Sequence, residues 1–375
     1  MSEKTAIVIG AGIAGLAMAR ALAIKGYSVK VFDRATQANG ASIRNFGMIW
    51  PIGQPQGKLF ETAVRTRNIW KEISDAGAFD YNPSGSLHLA YHAEEWRVLQ
   101  ELYDQFKQER KVTLLSPQQI ADKSPAVITD KLIGGLYSEE EGIVDPRAAI
   151  AALPKWLHEK YEITFCFGKC VSYVADNTVY VGQDEDCEAD LIFICSGADF
   201  ETLYPEAFRE LKITKCKLQM MRFAAQPGNW HIGPALCGGL SLVHYKGFSS
   251  APSLLLLRRR YEQHHPDYLR YGIHVMVSQN SRFELTIGDS HEYGPSPDPF
   301  DKAFINQMIL DYLKTFARFK DHTVTATWNG VYAKLTNGDS HLFVSPEPGV
   351  YFFNGLGGAG MTLSFALAEE ATALL

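Results

Sequence analysis

Gly10, Gly12 and Gly15, followed by a carboxylate at Asp33, are the residues whose types and spacing most directly specify chemistry. They lie in Thr5-Ala-Ile-Val-Ile-Gly-Ala-Gly-Ile-Ala-Gly-Leu, where an apolar strand enters a G-x-G-x-x-G turn and then an amphipathic helix. Gly10 permits the tight turn, Gly12 lets backbone amides approach a pyrophosphate, and Gly15 lets helix and strand pack closely. Ile13 and Ala14 open the helix, whose free N–H groups and positive dipole end attract anions. The next strand, Tyr27-Ser-Val-Lys-Val-Phe, delivers Asp33, with Arg34 beside it, at about the 20-residue distance of the fingerprint. Its carboxylate can accept hydrogen bonds from ribose hydroxyls. Turn and acid together predict a dinucleotide site.

A second glycine-rich element lies near the C-terminus. Val350-Tyr-Phe-Phe-Asn leads from a strand through Gly355, Gly357, Gly358 and Gly360 into a helix beginning at Met361 and Thr362. A nicotinamide enzyme usually needs only the first element. The second favours FAD, because its N–H groups can face the pyrimidine edge of the flavin, where negative charge builds as the ring is reduced. The loop Gly40-Ala-Ser-Ile-Arg-Asn-Phe-Gly-Met suits an extended FAD running alongside it. The apolar strand Leu191-Ile-Phe-Ile-Cys, of the kind found in a covered parallel sheet, exits through Ser196 and Gly197, which keep the backbone low near a cofactor.

The elements that must position these groups form an interrupted pattern. Helices are predicted over 58–80, over Glu94 to Arg110, and from Asp145, a plausible N-cap with Pro146 at the first helical position. Short strands are predicted at Ser86–Ala90, Ile163–Phe167, Cys170–Val174 and Val179–Val181. From Lys215 the pattern turns β-rich, with strands at Lys217–Ala224, Ser253–Leu257, Gly272–Ser278 and Phe283–Ile287, then one helix over Asp301–Phe319. The reading is an α/β protein: a Rossmann-like FAD-binding domain over 1–85, 140–214 and 326–375, interleaved with a mixed or antiparallel β-sheet substrate domain with helices over 86–139 and 215–325.

The 375 residues are 46% hydrophobic and 21% charged, an ordinary globular composition, and the net charge of −6 without a Lys/Arg run argues against nucleic acid. No stretch is long and apolar enough to span a membrane, and the first apolar run lacks the flanks of a signal peptide, so a cytoplasmic location is expected. The six cysteines lack metal-site spacing, so no metal is expected. Cys166 and Cys170 read as sharing one face of a strand, and buried free thiols are the expectation. Arg258–Arg260 reads as surface charge, and His264-His265 before Pro266 as a solvated turn.

Six segments in order resemble the D-amino-acid oxidase/glycine oxidase (DAO) family of FAD-dependent oxidoreductases. They are the Gly10–Asp33 unit, Ala41-Ser-Ile-Arg-Asn-Phe-Gly, Gly142-Ile-Val-Asp-Pro-Arg, Phe193-Ile-Cys-Ser-Gly-Ala, Trp328-Asn-Gly-Val and Gly355-Leu-Gly-Gly-Ala-Gly-Met-Thr. The resemblance implies a Rossmann-like FAD domain paired with a mixed-sheet substrate domain. It implies that Ser42 contacts the pyrophosphate, that Val171 offers backbone contacts to the adenine, and that Arg44, Asn45, Gly47 and Met48 lie near the isoalloxazine. Trp328 and Gly330 belong to the same cofactor-binding set, and the FAD is expected to be non-covalent.

The chain departs from the family at one informative place. Amino-acid oxidases of this family hold the substrate carboxylate with an arginine just after the Trp-x-Gly-x motif, where a planar fork matches the anion bidentately. Here that position is Tyr332. Lys334 is the nearby cation, a compact charge that suits a tetrahedral dianion as readily as a carboxylate, and Arg44 can contribute from the cofactor side. His244, Tyr245 and His291 are further candidates for the substrate wall. Asn45-Phe-Gly-Met-Ile-Trp-Pro-Ile-Gly-Gln-Pro resembles a subgroup associated with aminophosphonate breakdown, which points to 2-aminoethylphosphonate or an N-methyl derivative. The implied chemistry is hydride transfer to flavin N5 followed by imine hydrolysis, with oxygen or another acceptor re-oxidising the cofactor. Glycine, sarcosine and D-amino acids stay open as substrates, as do a non-catalytic FAD-binding subunit and a homo-oligomeric state.

Overall fold

The computed structural model describes residues 4–182 and 185–375. Its first sheet has six strands in the order Leu342–Glu347, Val350–Asn354, Leu191–Ile194, Thr5–Ile9, Ser28–Asp33 and Thr164–Phe167. All neighbours are parallel except the first pair. Alternation along Thr5–Ile9 shows how the sequence builds the layers, since successive side chains point to opposite faces. Ala6 and Val8 pack under the helices Ile13–Ile24, Lys58–Asp75, Pro146–Tyr161 and Gly360–Thr372. Ile7 and Ile9 face the other way, towards a small antiparallel sheet that includes Val171–Ala175 and Thr178–Val181.

The second sheet has nine strands and carries the larger core. Its spine is the pair Ile213–Phe223 and Val324–Leu335, antiparallel over its whole length, with Cys216 opposite Tyr332 and Thr214 opposite Lys334. Only Ala235–Cys237 against Ser86–Ala90 is parallel. The loop 40–48 links the two sheets. Its Phe46 carbonyl accepts from Ser278 Oγ at 2.7 Å, and its Arg44 carbonyl accepts from Trp328 Nε1 at 3.3 Å. Among the described residues, no helix is long and apolar enough to cross a membrane.

Two local expectations are corrected. Ser253–Leu257 is not a strand: Leu254–His264 is a helix. Leu257 and Tyr261, one turn apart, are buried while Leu255 and Leu256 stay 60% and 50% exposed. A run of γ-branched leucines favours a helix over a strand, where β-branched residues are preferred. Cys166 and Cys170 do not share a strand face either. The strand ends at Phe167, Gly168 turns the chain at φ +71°, and Cys170 is exposed. Cys166 and Cys187 are half-buried, so the expectation of buried thiols holds only for Cys195, Cys216 and Cys237. The Asp145 cap is as expected: Oδ1 accepts from the Arg147 amide at 3.0 Å and the Ala148 amide at 3.4 Å, with Pro146 leading the helix. The helix expected over Asp301–Phe319 is confined to Ala303–Leu313.

One buried ring makes stability depend on pH. His88 is fully buried between Trp50 and Phe248, and burial pushes its pKa down to about 3. An unfolded histidine takes up its proton near pH 6.5, so this contribution is complete above that value and is lost as pH falls towards 3. Between pH 7 and 5 this ring is expected to cost about 2 kcal/mol of stability. Urea unfolding at both pH values, compared with His88→Leu, checks it: the variant starts less stable but has a shallower acid slope.

Candidate functional site

The parallel strands Thr5–Ile9, Ser28–Asp33, Leu191–Ile194 and Val350–Asn354 all end at the same edge of the six-stranded sheet, and a cavity of about 860 Å³ opens there. Crevices beyond the carboxyl ends of parallel strands are where such sheets bind ligands. The turn after Thr5–Ile9 contributes Gly10, Gly12, Ile13 and Ala14 to the wall, and Asp33 and Arg34 follow from the neighbouring strand. Asp33 Oδ2 accepts from the Ala11 amide at 2.8 Å and Oδ1 from the Ala35 amide at 2.9 Å. Arg34 is anchored by Asp199 at 2.7 Å. Val171 borders the same space beyond the Gly168 turn.

Ser42, Arg44, Asn45 and Met48 line the cavity from the loop between the sheets. Ser42 Oγ accepts from the Ile13 amide at 2.9 Å, which places the hydroxyl against the N-terminus of the helix Ile13–Ile24. Asn45 stiffens the loop by donating to the carbonyls of Ala41 and Ser42 and accepting from the Gly47 amide. Ser196 and Gly197 are tied to the end of the last strand through the Asn354 side chain. From the C-terminal turn come Gly355, Gly357, Gly358, Gly360, Met361 and Thr362. Thr362 Oγ1 accepts from the Trp50 amide at 2.9 Å, joining this helix to the loop.

Three of the expected cofactor residues do not line the cavity. A Cβ on Gly15 would overlap the Gly10 carbonyl oxygen, so this glycine seats the helix on the strand. Gly47 has φ +72°, and a Cβ there would overlap the Val144 carbonyl. Trp328 Nε1 donates to the Arg44 carbonyl, and the guanidinium groups of Arg147 and Arg222 lie 5.2 and 5.8 Å from its ring centroid.

The geometry fits FAD. Neither the helix Ile13–Ile24 nor the helix Gly360–Thr372 has a side-chain cap from its own N-cap residue or an acidic residue in its first turn. Both helix ends therefore point their positive dipole ends at one cavity, the first with Ser42 Oγ on the Ile13 amide, as an elongated ligand with anionic groups requires. A Cβ on Gly12 would stand 3.1 Å from Ser42 Oγ and fill the approach to the first helix end.

The remaining wall is formed by Gly330, Tyr332 and Lys334 of the nine-stranded sheet together with His244, Tyr245 and His291. Tyr332 is buried, and its phenol is pushed well above its ordinary pKa by that burial, with the neighbouring Cys216 adding to the shift. Lys334 Nζ donates to Tyr293 Oη at 2.9 Å, and burial lowers the lysine's pKa. Burial also lowers the pKa of His244 well below its usual value and that of His291 to about 4, so both rings are neutral at pH 7.

Sequence reasoning missed His274, Asp289, Trp50, Met276 and Lys246, all of which line the cavity. Nothing in their local spacing singles them out. Among the cavity's cations, Arg34 and Lys215 are neutralised by Asp199 and Glu201. Arg44, Lys246 and Lys334 donate instead to neutral oxygens, those of Asn329, Gly338 and Tyr293.

The fold is shared with known enzymes. Glycine oxidase from Geobacillus kaustophilus superposes with a TM-score of 0.75 at 18% identity, covering 98% of this chain and 93% of that one. Iminodiacetate oxidase from Chelativorans sp. BNC1 gives 0.73 at 18% identity, over 98% and 95%. The tRNA 5-methylaminomethyl-2-thiouridine biosynthesis bifunctional protein MnmC of Saccharophagus degradans is 26% identical over 377 residues, covering 92% of this chain and 51% of that protein. The chain thus spans about half the length of this curated relative, and less of others. A family model described as FAD dependent oxidoreductase (DAO) matches residues 5–374. The chain belongs to the DAO family of FAD-dependent oxidoreductases.

Proposed function

We propose that this chain oxidises a C–N bond of a small anionic amine, with 2-aminoethylphosphonate or its N-methyl derivative as the substrate. The observation that carries this reading is the set of three cavity cations, Arg44, Lys246 and Lys334, that have no carboxylate partner among the described residues. Arg44 and Lys334 are half-buried while Lys246 is exposed, and the two half-buried cations attract an anion more strongly than they would in water. By resemblance the family's carboxylate-binding arginine is replaced by Tyr332, so the anion clamp combines two lysine point charges, the Arg44 guanidinium and a phenol, spread over separate segments. Such a clamp suits a tetrahedral dianion.

Bound FAD supplies the two-electron acceptor. The glycine turns at Gly10–Gly15 and Gly355–Gly360 would hold it, with Asp33 at the ribose and Ser42 at the pyrophosphate. The chain's own work is positioning: Lys334, oriented by Tyr293, and Arg44 hold the anion, while Tyr245 and Tyr332 wall the cavity from water. Orientation of this kind is a large share of what an enzyme contributes when the cofactor takes the electrons.

A substrate panel tests the reading. Michaelis constants for 2-aminoethylphosphonate, N-methyl-aminoethylphosphonate, glycine, sarcosine and D-alanine are expected to favour the phosphonates by at least tenfold in kcat/KM. Rapid flavin reduction by glycine or sarcosine, with none by either phosphonate, would sink it and leave an amino-acid oxidase as the function. Peroxide release in air-saturated buffer, against turnover only with a dye, separates oxidase from dehydrogenase.

A further inference from the structure

Three imidazoles from three separate segments meet on the cavity wall. His244 caps the turn Gly239–Val243, His274 precedes the strand Met276–Gln279, and His291 precedes the strand Glu292–Gly294. Their ring centroids are 3.7, 4.5 and 5.2 Å apart, and one nitrogen from each lies within 4.8 Å of the others. Rings gathered this closely do not satisfy one another. His274 is 2% exposed; its Nδ1 lies 2.7 Å from Asp289 Oδ1, whereas its Nε2 has no hydrogen-bond partner among the described residues. A neutral imidazole carries one donor and one acceptor, a protonated one two donors, and leaving such a buried nitrogen unpaired is costly. Native proteins rarely do so without a reason.

The surroundings orient the rings for a ligand-binding role. His291 Nδ1 donates to the Gly272 carbonyl at 3.0 Å, which leaves Nε2 with its lone pair free. Asp289, itself 5% exposed, places Oδ1 2.7 Å from His274 Nδ1 and Oδ2 3.8 Å from His291 Nε2. Carbonyls and carboxylates behind imidazoles are the usual outer partners that fix tautomer and ring direction in metal sites.

We propose that His244, His274 and His291 form a site for one divalent late transition metal ion of the zinc or cobalt type, with Asp289 behind His274, the Gly272 carbonyl behind His291, and an open coordination position towards the cavity. Imidazole nitrogens suit these ions, and three protein ligands with one open position form the pattern of sites that also bind a small molecule. Asp289 offsets part of the ion's charge. Lys246 and Lys334 on the same wall work against a bare cation, and an oxyanion at the open position restores the balance. The oxyanion part rests on the anionic-amine reading above, whereas the metal site does not.

Metal uptake by the chelator-stripped, FAD-loaded protein tests the site without any substrate. Zinc titrated calorimetrically is expected to bind at about one equivalent per chain. Cobalt is expected to give four-coordinate ligand-field bands on the red side of the flavin absorption. His274→Gln and His244→Gln should each weaken binding by at least about 100-fold, and Asp289→Asn by about 10–100-fold. His244 is the less buried of the two, so its variant serves if His274→Gln fails to retain FAD. Methylphosphonate added to the cobalt protein is expected to shift the bands. Absence of stoichiometric uptake by the parent protein, or equal uptake by parent and both histidine variants, overturns the metal site. Uptake with bands that methylphosphonate leaves unchanged overturns the open position for oxyanions.

Discussion

Gly15→Ala is expected to yield a chain that folds less stably and no longer retains FAD. The added methyl would overlap the Gly10 carbonyl oxygen and press on Val8 Cγ1 at 3.3 Å. The helix Ile13–Ile24 must then lift from the strand Thr5–Ile9, and overpacking of this kind costs about 1–3 kcal/mol. The larger effect falls on the cofactor, because the helix N-terminus moves away from the cavity wall formed by Gly12, Ile13 and Ala14. Hydrogen bonds to a charged group contribute about 1.5–3 kcal/mol each, so loss of two lowers affinity roughly 100-fold or more. Flavin absorbance per chain after gel filtration and fluorescence titration with FAD measure it. Gly294→Ala is the control: a Cβ there meets nothing within 4 Å, and flavin content is expected to match the parent. Full flavin retention by Gly15→Ala would show that the close approach of helix and strand is dispensable.

Lys334→Gln is expected to lower kcat/KM for the anionic amine by about 10–100-fold, mostly through KM, since it removes one charge-assisted contact. Lys334→Arg should recover part of the loss, as the charge is kept while the geometry changes. Flavin content should stay the same in both variants, which separates an effect on substrate from one on the cofactor. The parent enzyme also carries a pH signature. Burial lowers the Lys334 pKa, so its charge is lost at a lower pH than that of an exposed lysine as the solution is made alkaline. Affinity for the anion therefore falls on the alkaline side, at a lower pH than an exposed lysine would give. KM measured against pH should show this rise in the parent and a flat alkaline limb in Lys334→Gln. An identical alkaline limb in both would assign the titration to another group.

The expectations that the structure supports were mostly local ones. Gly10, Gly12 and Asp33 sit within one strand–turn–helix–strand unit, where a few intervening residues of regular geometry fix their relative positions. The same holds for Asp145 capping its own helix and for the turn from Gly355 to Thr362. The missed features are the non-local ones. Ser253–Leu257 was read as a strand because a short apolar run carries no decisive period, and its helical state follows from Tyr261 packing one turn further on. Gly47 and Trp328 belong to the right motifs but act one layer behind the cavity, a distinction that depends on which face of the loop meets Val144 and the paired strands.

The sequence by itself determined two glycine-rich helix starts, the first followed by a carboxylate at Asp33, and a tyrosine at position 332. Those properties follow from residue type and short-range spacing. Only the tertiary structure decided that Lys246 joins Arg44 and Lys334 as cations with no carboxylate partner among the described residues, and that His244, His274 and His291 converge beside Asp289. These residues come from segments whose approach is set by the register and twist of the nine-stranded sheet. That approach is the cooperative result of burying its core rather than a property of any one stretch of chain.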